Sequence, residues 1–227
     1  MDVKSNHKAG IRKVASGLYR RLPMELTASI DVLRSYRHRL YLDDTLFLHI
    51  PKNGGVTISK AVYGRDILHV KLSSILKLHP NPKRLRVVII YRDPIERFIS
   101  AANFVRTGGT SARQTDHKDI YDNVSWNDLN SIATILDLQL EEDLDPVFRP
   151  QSHYLDENIK NLSIYRLEEI GCLLKAEFSV DFSNIATHNV STKYFTRSDL
   201  DPDLEKKLRH FYCSDYEILH RHLNTEN

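Results

Sequence analysis

Apolar positions in this chain fall into short unbroken runs separated by stretches of helical period. Residues 45–50, "TLFLHI", form one such run, stopped by Pro51, and residues 85–90, "LRVVII", form another. Runs of this length that are apolar on both faces predict strands buried in a parallel sheet. "VTISKAVY" at 56–63 predicts a helix after the first strand. "YRDPIERFISAANFV" at 91–105 predicts one after the second, with Pro94 at its first position. A third strand is expected over "NLSIYR" at 161–166, a helix over "LEEIGCLLKAEF" at 167–178, and one long closing helix over 201–223. Strand and helix alternating with short connections predict an α/β fold of three layers on a central parallel sheet. The polar stretch 107–123, "TGGTSARQTDHKDIYDN", is expected to be an excursion from that frame.

Ahead of the first strand the pattern changes. Ile11, Val14, Ala15, Leu18, Tyr19 and Leu22 lie on one helical face, Pro23 interrupts, and Leu26, Ile30 and Leu33 predict a second helix. Residues 1–40 hold nine Lys or Arg against three acidic residues, a local charge of +6 in a chain whose total is +2. We therefore divide the chain into a basic helical segment, 1–43, and one domain, 44–227. The basic segment has two readings: a helical pair packed on the core with a solvated face, or a peripheral contact with an anionic membrane or an acidic glycan.

Composition adds limits. With 41% hydrophobic and 27% charged residues the chain resembles an ordinary globular protein. It has no apolar run near the roughly 20 residues that span a bilayer. "MDVKSNHKAGIRK" has no apolar core of the secretory kind. Cys172 and Cys213 fall in helical segments and are expected as reduced, partly buried thiols of a cytoplasmic protein.

The chemistry concentrates at the strand ends. "PKNGG", residues 51–55, joins the first strand to its helix, the place where α/β folds bind ligands. The N–H groups of Asn53, Gly54, Gly55, Val56 and Thr57 can converge on phosphate-like oxygens, with Lys52 as a mobile charge. A plain tight turn would use the same glycines. The nucleoside-triphosphatase loop places its lysine after the second glycine; here it precedes both. In "YRDPIERFIS", Arg92 stands directly after the second strand and Ser100 two helical turns on, so the pair can grip a second phosphate. The alternative is ordinary ion pairing, Arg92 with Asp93 or Glu96 with Arg97, on a solvated helix start.

"HIPKNGG" followed about forty residues later by "RDPIERFIS" resembles the paired signature of sulfotransferases that use 3′-phosphoadenosine 5′-phosphosulfate (PAPS), nearest to the carbohydrate group of heparan sulfate 2-O- and chondroitin-type enzymes. The resemblance extends from about 45 to 220 through "FRPQSHYL", "IYRLEEI", "HNVS" and "FYCSDYEIL". It implies a P-loop-like sandwich that needs no metal. Lys52 through Thr57 would hold the 5′-phosphosulfate, and Arg92 with Ser100 the 3′-phosphate. Val56 departs from the family's usual Thr or Ser, which removes a hydroxyl contact unless Thr57 or Ser59 supplies it. The related glycan enzymes place a catalytic histidine where this chain has His69, in "DILHVKLSSIL". His69 is thus the expected general base for a saccharide hydroxyl and Lys52 the partner of the leaving oxygen, with Asp66, Glu96, His117 and His153 as other candidates for the base. His49, inside the first strand, is expected to pack. A nucleotide-dependent kinase and a noncatalytic glycan- or nucleotide-binding module are the competing function classes.

Overall fold

The computed structural model describes residues 22–37, 39–110, 113–114, 124–138, 141, 143–155, 159, 161–183, 185 and 192–223. The expected helix over 11–22 therefore lies outside the described residues, except for Leu22. The strands are β1 (Thr45–Phe47), β2 (Arg86–Tyr91), β3 (Gly109–Thr110), β4 (Arg113–Gln114) and β5 (Leu162–Arg166). The main helices are α1 (Met24–Tyr36), α2 (Gly55–Tyr63), α3 (Leu72–Leu78), α4 (Pro94–Arg106), α5 (Ile170–Phe178), α6 (Pro202–Phe211) and α7 (Cys213–Leu223). The architecture is α/β. β1, β2 and β5 form a parallel sheet in that order, and β3 pairs antiparallel with β4 inside the polar excursion.

The central strand follows directly from its sequence. Residues 87–91 of β2 are buried in succession, as a strand paired on both sides and covered on both faces requires. β1 is an outer strand with an exposed-edge problem, and two tyrosines solve it at Phe47. The Tyr36 hydroxyl donates to the Phe47 carbonyl at 3.1 Å, and the Phe47 N–H donates to the Tyr63 hydroxyl at 2.9 Å. Their rings meet edge to face at 5.5 Å.

Tyr36 belongs to the basic segment, and so do Val32 and Leu40, which are fully buried beside Leu46, Val88, Ile58 and Leu72 in the cluster around the sheet. From Met24 onward the segment thus packs one side of its helix on the core. A second cluster joins α4, through Ile95, Phe98 and Val105, to Leu129, Ile132, Phe148, Leu208 and Tyr212.

Two expectations are corrected. The closing helix is two helices, broken at Tyr212. That ring is fully buried and its hydroxyl donates to the Phe148 carbonyl at 2.7 Å, an anchor that a straight helix would have to give up. Both cysteines are exposed and free. Cys172 precedes the two leucines, Leu173 and Leu174, that α5 turns inward, and so falls on the outer face.

Candidate functional site

Parallel pairing brings the two sequence motifs together. Thr45 pairs with Arg86 and Phe47 with Val88, so continuing the same register places Pro51 opposite Arg92. The two strands end side by side, each feeding a helix.

The helix starts differ in how their free N–H groups are met. At α4, Asp93 accepts from Ile95 and Glu96 at 3.0 Å each, with Pro94 in the first turn. At α2 the cap is Gly54 in the left-handed conformation, φ 74°, and no side chain accepts from the first turn. Lys52 also has positive φ, 67°, uncommon for a side-chain-bearing residue. Positive φ on either side of Asn53 turns the chain sharply between β1 and α2, the kind of backbone from which anion-binding nests are built. The Thr57 N–H reaches the Gly54 carbonyl at 3.3 Å, so of the five groups expected to converge, this one closes the helical turn instead.

The glycines have further reasons to be glycine. A Cβ on Gly54 would lie 2.5 Å from Leu167 Cδ1, besides the cost of its φ, and one on Gly55 would lie 2.1 Å from His49 Cδ2. At residue 55 the absent side chain therefore makes room for a histidine ring. Ser59 does not replace the hydroxyl missing at Val56: it is fully buried and donates back to the Val56 carbonyl at 3.2 Å.

Cations gather at this junction. Arg92 Nη1 donates to the Lys52 carbonyl at 3.3 Å, and Lys52 Nζ lies 4.0 Å over the Phe104 ring. Burial first, then the charges of Arg92 and Arg97, push the Lys52 pKa down to about 8. Burial also lowers that of Arg92, with Arg97 adding to it and Glu96 opposing. Among the described residues no carboxylate forms a salt bridge with Lys52, Arg92 or Arg97. Lys52 and Arg92 thus hold positive charge with no salt-bridged carboxylate among the described residues, although Glu96, Glu168 and Asp93 act on Arg92 from further off.

The alternative reading, which paired Glu96 with Arg97 on a solvated helix start, does not hold, because Arg97 is fully buried. Its Nη1 donates to the carbonyls of Pro51 and Val147 at 3.3 and 3.2 Å, its Nη2 to that of Arg149, and its guanidinium lies 5.7 Å from the Tyr212 ring. It therefore clamps the Pro51 turn from beneath. The signal was present: Pro94, Phe98, Ala101, Ala102 and Val105 form the buried stripe of α4, and Arg97 sits in it at i+3.

Gln151 and Asp215, given no role from the sequence, complete the frame. Gln151 Oε1 accepts from Asn53 Nδ2 at 2.7 Å and from the Arg92 N–H at 3.1 Å, while Nε2 donates to the Arg92 carbonyl at 2.8 Å. Buried Asp215 accepts from the N–H groups of Gln151 and Ser152 at 2.9 and 2.8 Å. Asn53 Nδ2 also donates to the Ile90 carbonyl at 2.7 Å. One side chain thus fixes both strand-end loops. Gln151→Ala should lower the unfolding free energy by roughly 1–3 kcal/mol for each buried group left unpaired, read by denaturant titration.

His69 stands on the loop between α2 and α3. Its Nδ1 lies 3.0 Å from the His49 carbonyl, and His49 Nδ1 lies 3.2 Å from the Ile67 carbonyl. A carbonyl can only accept, so each Nδ1 carries a proton and in the neutral ring Nε2 is the basic nitrogen. The two rings meet edge to face at 4.3 Å, which puts buried His49 between Gly55 and His69 and gives it the packing part expected of it. Of the other candidates for the base, His153 is paired with Glu141 at 2.8 Å and its pKa is lowered, chiefly by burial. Asp66 lies 3.7 Å from His49 Nδ1, and His117 is outside the described residues. Ser100 lies about 9 Å along α4 from Pro94. Among the described residues no hydrogen bond joins it to Lys52 or Arg92.

No protein-family model, curated protein or solved structure matches this chain.

Proposed function

We propose that the protein is a PAPS-dependent O-sulfotransferase acting on a saccharide or glycan hydroxyl, on a P-loop-like three-layer variant of the α/β fold. The observation that carries this reading is the junction of Lys52 and Arg92 at the ends of adjacent parallel strands, beside a helix start that no side chain caps. The donor set fits the nucleotide. Lys52 and the N–H groups of residues 53–56 suit a 5′-phosphosulfate, and Arg92, with Ser100 on α4, suits a 3′-phosphate. When bound, PAPS supplies an activated sulfuryl group.

The chain's own residues do the rest. His69 Nε2 takes the proton of the acceptor hydroxyl while the His49 carbonyl holds Nδ1–H and fixes the ring. As the acceptor oxygen forms its bond to sulfur, the bond from sulfur to the phosphate oxygen breaks, and Lys52 offsets the charge left on that oxygen. No residue of this scheme calls for a metal. Incubation of the full chain with labelled PAPS and a panel of saccharides should move label to an acceptor. Label that stays on the nucleotide while the protein binds it tightly would assign the chain to a noncatalytic module instead.

A further inference from the structure

A second cationic site lies away from the strand ends. A cavity of about 550 Å³ opens between α1 and the loop 65–68, with Ile30, Leu33 and Leu68 in its wall and Arg34, Arg37 and Arg65 around them. It is made by the two-sidedness of α1. Val32, Ser35 and Tyr36 turn inward. Leu26, Ile30, Leu33, Arg34 and Arg37, at i, i+4, i+7, i+8 and i+11, share the other face.

That face is unusual in two respects. Leu26 is 48% and Leu33 42% exposed, and with Met24 at 84% they are three of the four large apolar side chains exposed among the described residues. Among the described residues the arginines beside them lack close carboxylate partners. Arg34 has Asp31 only at 4.0 Å, and among the described residues no carboxylate forms a salt bridge with Arg37 or Arg65, although Asp66 shares the cavity wall. Arg65 donates to the Ser35 carbonyl at 2.6 Å, and the Arg37 charge acts on it. Arg37 itself has φ 49°, a conformation that favours glycine, at the end of a helix where glycine is the usual residue. An arginine kept there places a cation at the cavity mouth.

We propose that this face of α1 docks on an anionic lipid surface, Leu26 and Leu33 entering the interface while Arg34, Arg37 and Arg65 seat headgroup phosphates. An acidic glycan would satisfy the arginines and leave the leucines in water. Residues 1–21 of the chain carry six Lys or Arg against one Asp, so their charge opposes a seat among these arginines. The proposal is independent of the sulfotransferase reading.

The test is sedimentation of the full chain with vesicles of phosphatidylcholine alone or mixed with phosphatidylglycerol. Binding should require the anionic lipid and weaken with salt. Arg37→Gly should cut it about fivefold, the scale of one basic residue at such a surface, while the thermal melt holds or rises because glycine suits that φ. Leu26→Ser with Leu33→Ser should cut it further. The proposal is overturned by equal binding to neutral vesicles, by anionic binding unchanged in both variants, or by retention on heparin with no vesicle binding. Displacement of the chain from vesicles by inorganic phosphate at constant ionic strength would assign the arginines to a soluble phosphate and also overturn it.

Discussion

His69→Ala should lower turnover roughly 10²- to 10⁴-fold, the scale of losing a positioned base, with nucleotide affinity near that of the parent. The side chain can be removed without dismantling the loop. His69 is half-buried, and its Nδ1 hydrogen bond to the His49 carbonyl and its ring contact with His49 hold it to a residue beside Gly55. His69→Asn can keep a hydrogen bond to that carbonyl but cannot take a proton, so it should remain as slow as the alanine variant. The parent's kcat/KM should rise with pH as the His69 ring loses its proton, because only the neutral ring is a base. Single-turnover rates at several pH values check all three statements. Retention of more than about a tenth of parental turnover in His69→Ala would move the base elsewhere.

Lys52→Ala should abolish measurable turnover and weaken nucleotide binding tenfold or more, since a charge-assisted contact is worth about 1.5–3 kcal/mol. The same residue sets the upper limb of the pH profile. Burial and the two neighbouring arginines disfavour its charged form, so the free protein loses that charge as pH rises through about 8. kcat/KM should therefore be bell-shaped, rising through His69 and falling above about 8. Lys52→Arg keeps its charge at every accessible pH, so whatever activity it retains should lack the falling limb. A profile that falls in both parent and Lys52→Arg would assign that limb to another group.

How much of this was legible beforehand depended on whether a residue's role is local. Strands β1 and β2 were readable because burial on both faces demands unbroken apolar runs, and Asp93–Pro94 marked the start of α4 by capping chemistry alone. The partnership of Lys52 with Arg92 required only that two consecutive strands pair in parallel. Gln151 and Asp215 were not readable. Their hydrogen bonds span 59 and 64 residues, and nothing near either one in sequence records the partner. The break at Tyr212 was hidden for the same reason, being set by Phe148 and Arg97 in another part of the chain. Gly55 shows a motif residue whose identity is fixed by packing against His49, so its presence in "PKNGG" says less about an anion than Lys52 does. Arg97 is readable only in part: helical periodicity puts it on the buried stripe of α4, but its carbonyl partners at Pro51, Val147 and Arg149 lie 46 to 52 residues away.

On the proposed function, the strand-end junction holds a nucleotide with phosphates at both its 3′ and 5′ positions. Calorimetric titration of the full chain with 3′-phosphoadenosine 5′-phosphate, against ATP with magnesium, tests it most directly. The bisphosphate should bind without metal, at least tenfold tighter than ATP with magnesium, and Arg92→Ala should lose tenfold or more from the missing 3′-phosphate contact. Tighter binding of ATP with magnesium, or a bisphosphate affinity unchanged in both Lys52→Ala and Arg92→Ala, would contradict it.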